Sequence, residues 1–333
     1  MPTKPPLTDS LGRIHTNLRV SVTDRCNIRC FYCMPEENVE FRPRHEILSF
    51  EEFIRFTRIM SELGVNKIRL TGGEPLVRKD LPHLIKELAT LDGIDDIALT
   101  TNALLLAEQA EALKQAGLKR INISLDTLND DTFFRLSRRR GIDKVLEGIS
   151  AAQQVGIEKI RLNAIAIRGL TEDEILPLAR FAMERSLELR FIEFMPLDAD
   201  DNWGSQAVLT GQEIRETLEN EFGTLIEADR PDNSQPAVDF HFVSGHGQVG
   251  FINPVSEPFC SSCNRLRLTA EGQVRNCLFS TEEWDVRRLL RDGSSDLAIE
   301  QLVRDCVANK KPAHGIDTPD FEKPKRAMYQ IGG

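Results

Sequence analysis

The sequence predicts an α/β fold in which a parallel sheet, with helices packed outside it, curls into a full or partial barrel. Three observations carry that expectation. Strand-like and helix-like segments alternate from residue 17 to about residue 195. Several helical stretches run into a glycine (Gly64, Gly117, Gly156), a frequent C-terminal stop. Polar residues gather where strands end: Thr71-Gly72-Gly73-Glu74, Thr100-Thr101-Asn102, Ser124 with Asp126, and Glu193 with Met195. Functional loops sit on that edge of such a sheet.

The elements follow in order. NLRVSV (17–22) reads as a strand. SFEEFIRFTRIMSEL (49–63) reads as a helix, because Phe50, Phe53, Ile54, Met60 and Leu63 keep the i, i+3, i+4 pattern. KIRLTGG gives a strand and loop, and LPHLIKELATL a helix. DIALTTN, RINISLD, IRLNAIAI and LRFIEF complete six strands, with LLLAEQAEALKQAG, DKVLEGISAAQQVG and TEDEILPLARFAMER as helices between them. Composition changes after residue 197: LDADDNWGSQ is polar and loop-like, and a helix (GQEIRETLENEFG), short strands and two more helices follow. The chain therefore divides into a lead-in (1–16), a barrel-type domain (17–197) and a C-terminal subdomain (198–333). The closing MYQIGG reads, from position and composition, as a short flexible tail.

The 333 residues suit one large barrel-type domain or two ordinary ones. With 41% hydrophobic and 28% charged residues, a soluble globule is expected. There is no apolar run of about 18 residues and no secretory h-region, so no membrane association and a cytoplasmic location are expected. The net charge of −10 excludes a general nucleic-acid binder, which needs a basic surface. Any anion site has to come from a few converging arginines and lysines.

Six of the seven cysteines fall into two groups of three: Cys26, Cys30, Cys33 and Cys260, Cys263, Cys277. In a reducing compartment grouped thiols point to metal ligation. Cys306, in the helical DLAIEQLVRDCVANK, reads as ordinary buried packing. DRCNIRCFYCMP places a Cys-x3-Cys-x2-Cys pattern directly after a strand. Three thiolates hold three corners of a cubane and leave one iron open to a small molecule. The competing zinc site prefers four closed ligands, usually from paired Cys-x2-Cys knuckles. The second group, Cys-x2-Cys-x13-Cys, again has no obvious fourth ligand. Two clusters, each with an open iron, are expected; a zinc site with a spare pair is the alternative. Arg265 and Arg267, two apart in RLRLT, point to one face of a strand and suit an anionic ligand. Thr71-Gly72-Gly73-Glu74-Pro75 permits close backbone approach, and Glu74 can accept hydrogen bonds from an ammonium group.

Cys-x3-Cys-x-aromatic-Cys, with Tyr32 as the aromatic, resembles the signature of the radical S-adenosylmethionine (SAM) superfamily. With EPFCSSCNRLRLTAEGQVRNCLF, RFIEFMP at 190–196 and a terminal Gly332-Gly333, the chain is similar over nearly its whole length to the GTP 3′,8-cyclases of molybdenum cofactor (molybdopterin) biosynthesis. The resemblance implies an incomplete (βα)6, TIM-like barrel and a C-terminal α+β subdomain carrying a second iron–sulfur cluster. It implies two 4Fe–4S clusters on the six grouped cysteines, with SAM as cofactor and GTP as substrate. By match to the family's motifs, Tyr32, Gly73, Glu74, Ser124, Arg190 and Met195 would contact SAM. Arg19, Lys67, Arg69, Thr100, Arg161, Arg265, Leu266 and Arg267 would bind GTP, and Gly332 and Gly333 would form a catalytic tail. Where the family usually reads Lys-x-Asn, this chain has Arg161-Leu162-Asn163. The resemblance further implies an electron donor such as flavodoxin, a downstream cyclic pyranopterin monophosphate synthase, and a homodimer. A peptide-modifying radical enzyme with an auxiliary cluster, or a non-catalytic metal-binding protein, are the alternatives.

Overall fold

Six strands, β1 (Asn17–Ser21), β2 (Lys67–Thr71), β3 (Asp96–Thr101), β4 (Arg120–Ser124), β5 (Lys159–Ala166) and β6 (Glu188–Glu193), pair in parallel and in chain order in the computed structural model. It describes residues 4–201, 203–243, 245, 247–316, 318–319 and 321–332. The crossovers carry α1 (Phe50–Glu62), α2 (Leu81–Ala89), α3 (Leu106–Gln115), the pair α4 (Asp130–Ser137) and α5 (Ile142–Gln154), and α6 (Ile175–Glu184). Period-two alternation separates the faces of each strand. Leu18, Val20, Ile68, Leu70, Leu99, Ile121, Ile123 and Leu162 face outward and pack with Phe53, Phe56, Ile59, Leu84, Ile85 and Val145 of the helices. Each such side chain contributes about 1.5–3 kcal/mol on leaving water. The opposite face carries Arg19, Arg69, Thr100, Asn122, Asn163 and Arg190, which line a cavity.

After α7 (Gly211–Phe222) come β7 (Leu225–Glu227), β8 (Val238–Phe242) and β9 (Gln248–Ile252), then β10 (Arg265–Leu268), β11 (Gln273–Arg275) and β12 (Trp284–Asp285), and the helices α8 (Val286–Arg291), α9 (Asp296–Ala308) and α10 (Met328–Ile331). These later strands extend the two edges of the same sheet, whose order is β12-β11-β10-β1-β2-β3-β4-β5-β6-β9-β8-β7. β9 lies parallel to β6, and β10 parallel to β1. The sheet does not close, because β12 and β7 remain its edges; the barrel is incomplete, as the family resemblance implies.

Two elements differ from the sequence reading. α4 was not anticipated, because DDTFFRLS mixes β-branched and aromatic residues that weaken helix propensity. Its cap decides: the Asn129 side chain accepts from Asp131 N and Thr132 N, and the helix closes at Arg138 in the left-handed region. Within the closing segment, residues 328–332 are not a loose tail. Met328–Ile331 form a helical turn with Tyr329 and Ile331 buried, Ile331 packing in a small cluster with Leu197 and Phe279. Gly333 lies outside the described residues. Cys306 is fully buried in the main core, which accounts for it as packing.

Candidate active site

The loop carrying the first three cysteines is held from two sides. Val22 N donates to Thr71 O at 2.9 Å, Gly73 N to Thr23 O at 2.7 Å and Glu74 N to Arg25 O at 2.8 Å, so residues 71–74 run as a ladder beside 22–25. A Cβ on Gly73 would overlap the Arg25 carbonyl, with Arg25 C at 2.7 Å and Asp24 O at 2.9 Å. Gly72 adopts φ +148°, and a Cβ there would meet the Thr23 carbonyl. From the other side, Arg29 N and Phe31 N donate to Ser137 O and Leu136 O at the end of α4. Tyr32 Oη donates to Asp126 Oδ2 at 2.5 Å, and Ile165 N donates to Asp126 Oδ1 at 2.8 Å. Burial raises the Asp126 carboxyl to about 6. Asn102 Nδ2 donates to Asn27 Oδ1 at 2.7 Å and approaches Cys26 Sγ at 3.8 Å.

Burial pushes the Cys26 thiol up to about 11, and Cys30 and Cys33 upward as well. Thiolates here need an added positive charge, which iron supplies. All three thiols line the same cavity.

Glu74 is buried and accepts from Leu76 N at 3.0 Å, Thr101 Oγ1 at 2.7 Å and Asn102 N at 2.7 Å. It thus ties the glycine loop to the end of β3. Burial outweighs these bonds and raises its carboxyl to about 7. A folded pKa above the ordinary value stabilises the fold at low pH, and that stability is lost as pH rises from about 4.5 to about 7. The loss is roughly 3 kcal/mol. We expect the iron-free chain to melt at lower temperature near pH 8 than near pH 5, and Glu74→Gln to flatten that fall. An unchanged slope in the variant would assign the effect to other groups.

The second triad lies at the far end of the strands. Cys26 follows β1, whereas Cys263 precedes β10, and the two strands run parallel with Asn17 opposite Arg265. The five residues of β1 therefore separate the triads by roughly 16 Å, at ~3.3 Å per residue. Cys260 O accepts from Arg13 Nη1 at 2.8 Å, and the same guanidinium holds Lys311 O and Pro312 O. Cys263 Sγ receives Arg265 Nη2 and Lys310 Nζ, each at 3.5 Å. Burial raises the Cys263 thiol, but Arg265 and Lys310 outweigh it and bring it down to about 6.

Between the triads, Arg267, Arg19 and Arg69 stand side by side, because β10, β1 and β2 pair in that register. Among the described residues no carboxylate pairs with any of them or with Arg265. Burial and the neighbouring guanidiniums push Arg19 and Arg69 well below the ordinary arginine range and Arg267 to about 9. Arginine keeps its proton, so these directions report the cost of crowding buried cations that have no carboxylate partner among the described residues. The band continues as orphaned buried atoms: Arg19 Nε, Thr100 Oγ1, Asn122 Nδ2, Asn163 Oδ1 and Arg190 Nε. All five of these residues, and all six grouped cysteines, line one cavity of about 280 Å³. The wall wants a polar, multiply charged anion.

Of the residues named from sequence, Tyr32, Gly73, Glu74, Ser124, Arg190 and Met195 reach this cavity, as do Arg19, Arg69, Thr100, Arg265 and Arg267. Gly332 O accepts from Arg267 Nη1 and so reaches the arginine row. Three others are not brought to the wall. Lys67 Nζ pairs with Asp232 Oδ2 at 2.6 Å, and Arg161 Nε with Glu188 Oε2 at 2.5 Å. The parallel register sets Glu188 directly opposite Arg161. The Leu266 side chain points into the core, on the face opposite Arg265 and Arg267. Arg190 is partly neutralised by Asp239 at 2.8 Å. Sequence reasoning assigned no role to Asn102 or Asp126, although both were visible as polar strand ends. Nothing in the sequence marked Arg13 or Lys310.

A family model for the radical SAM superfamily matches residues 20–182, and one for molybdenum cofactor synthesis C matches residues 187–316. A GTP 3′,8-cyclase of Rhodopirellula baltica is 51% identical over 330 residues, covering 98% of this chain and 92% of the relative. A GTP 3′,8-cyclase of Streptomyces coelicolor is 43% identical over 328 residues, covering 98% of this chain and 96% of the relative. Among solved structures, Streptococcus suis SuiB bound to S-adenosylmethionine shares the fold, with a TM-score of 0.61 at 16% identity over 93% of this chain and 76% of that one.

Proposed function

The chain belongs to the GTP 3′,8-cyclases of the radical SAM superfamily, and from that premise we propose how its own residues divide the reaction. It is an enzyme that uses SAM and an iron–sulfur cluster to convert GTP to (8S)-3′,8-cyclo-7,8-dihydroguanosine 5′-triphosphate in molybdenum cofactor biosynthesis. When bound on Cys26, Cys30 and Cys33, the cluster supplies one electron to cleave SAM and release the 5′-deoxyadenosyl radical that takes the ribose C3′ hydrogen. In our reading Cys260, Cys263 and Cys277 carry a second 4Fe–4S cluster that receives the guanine.

The single observation that carries this assignment of residues is the arginine row between the two triads, which has no carboxylate partner among the described residues. Arg19, Arg69 and Arg267, with Arg265 beside them, take the triphosphate; each charge-assisted bond is worth roughly 1.5–3 kcal/mol. Tyr32, positioned by Asp126, and Gly73, Ser124 and Met195 hold SAM at the end of the cavity nearer β1's C-terminus. Glu74 fixes the loop on which Gly73 sits, and Arg190, clamped by Asp239, borders the SAM site. Gly332, whose carbonyl accepts from Arg267, belongs in this reading to a catalytic tail at the substrate site. Lys67 and Arg161 join the phosphates only by exchanging Asp232 and Glu188 for substrate. A peptide substrate would leave the arginine row without its anion.

The reading extends to the partners that the family resemblance implies: an electron donor such as flavodoxin and a downstream cyclic pyranopterin monophosphate synthase. It also includes a homodimer working in the cytoplasm. Among the described residues no helix is long and apolar enough to cross a membrane.

The test is anaerobic incubation of the reconstituted, reduced protein with GTP and SAM, following 5′-deoxyadenosine and the cyclised nucleotide. Formation of 5′-deoxyadenosine should depend on GTP. Arg265→Ala with Arg267→Ala should raise the GTP dissociation constant by at least an order of magnitude, about 1.4 kcal/mol per tenfold, while leaving SAM binding in place. Equal GTP affinity in the double variant would remove the phosphate role.

A further inference from the structure

Lys310 is 5% exposed and has no carboxylate partner among the described residues. Its ammonium makes two contacts: Cys263 Sγ at 3.5 Å and Arg265 O at 3.0 Å. Burying an ammonium without an anion is costly. Among the described residues, the groups near it that can carry negative charge are thiols of the second triad, Cys263 in contact and Cys277 beyond it, and Cys263 would do so as a metal-bound thiolate. The Arg265 guanidinium approaches the same sulfur.

The position of Lys310 is fixed by the C-terminal turn of α9, and that turn touches all three cysteine loops. Cys306 O accepts from Asn276 Nδ2 at 2.8 Å, which seats the residue before Cys277. Lys310 N donates to Val307 O at 3.0 Å, and Lys310 Nζ reaches Cys263. Arg13 joins Lys311 O and Pro312 O to Cys260 O. Residues 306–312 are thus a platform for the second triad, with one charge aimed at one sulfur.

The first triad is treated differently. Among the described residues the Asn102 amide approaches Cys26, the Tyr329 backbone meets Cys33, and Cys30 lies beside the Tyr32 oxygen, whose proton goes to Asp126; Arg29 acts on Cys26 through its charge alone, without a hydrogen bond to the sulfur. Hydrogen bonds and charge at the sulfurs set the reduction potential of a cluster and the affinity of its ligands.

We infer that Lys310 is a positioning residue that neutralises the Cys263 thiolate and makes the second cluster easier to reduce. This rests on the reading that the second triad holds a 4Fe–4S cluster. Reduction adds one electron to the cluster, and a fixed positive charge at Cys263 favours the more negative product.

The test uses the full chain with Cys26, Cys30 and Cys33 changed to Ala, so that iron and sulfide load the second triad alone. Iron and acid-labile sulfide are counted, and the cluster is titrated stepwise with dithionite while its electron paramagnetic resonance signal is followed. In this background Lys310→Met should keep the iron and shift the midpoint to more negative potential, and Lys310→Arg should restore it. The same midpoint in Lys310→Met and its parent overturns the inference. Loss of iron in Lys310→Met that Lys310→Arg rescues supports the role of charge; loss in both variants overturns it and leaves Lys310 a packing residue. If the parent itself binds no acid-labile sulfide, the second cluster fails as a reading and the inference falls with it, a result readily told apart from an unshifted potential.

Discussion

Replacing Cys277 with serine is expected to abolish GTP turnover while halving, not emptying, the iron content. Cys277 lines the cavity with Cys260 and Cys263, in a loop whose preceding residue is pinned to Cys306 O. It packs beside Leu197, Phe279 and Ile331 and belongs to no strand, so serine leaves the sheet intact. A serine hydroxyl keeps its proton where a thiol yields it to iron. Iron should fall from about eight to about four atoms per chain, with the first triad still loaded. SAM binding should persist, and GTP-dependent 5′-deoxyadenosine should disappear. Iron analysis, SAM binding and product assay on one preparation decide the matter. Turnover at the normal rate would mean that the second triad does not position the substrate.

The complementary expectation concerns Gly73→Ala. Its new Cβ would overlap backbone, the Arg25 carbonyl and its neighbours, and not the end of a flexible side chain. The ladder joining 71–74 to 22–25 must then part, and the Cys26 loop hangs from that ladder. Overpacking of this kind costs about 1–3 kcal/mol or more. We expect the first cluster to be lost or labile and SAM affinity to fall by at least an order of magnitude. The second triad, some 16 Å away by strand length, should keep its iron. Equilibrium dialysis with SAM and iron analysis measure both effects. Full SAM affinity in the alanine variant would show that the close backbone approach is not needed.

These two variants divide the protein along a line that the sequence marks clearly, because cysteine spacing and strand alternation are local. The six barrel strands were legible for the same reason: each shows its apolar face to the helices and its polar face to the cavity within five to eight residues. What stayed hidden depends on register and on distant chain. Glu188 meets Arg161 only because β5 and β6 align as they do, and Asp232 reaches Lys67 from 165 residues away. Arg13 and Lys310 carry no motif, yet both converge on Cys260 and Cys263 once β10 is laid beside β1. That the strands after residue 197 prolong the barrel sheet at both edges follows from pairing partners, which composition does not encode. α4 was missed because a single asparagine cap outweighed weak propensity.

The arginine row has a consequence beyond catalysis. A chain that folds around Arg19, Arg69 and Arg267 folds against its own repulsion, and in the proposed reading a nucleotide settling among them would relieve it. A ligand that binds the native state alone deepens that state by an amount that grows with the logarithm of its concentration. On that reading GTP would be a folding partner for this protein as well as its substrate, and the melting temperature should rise with GTP concentration in the absence of SAM.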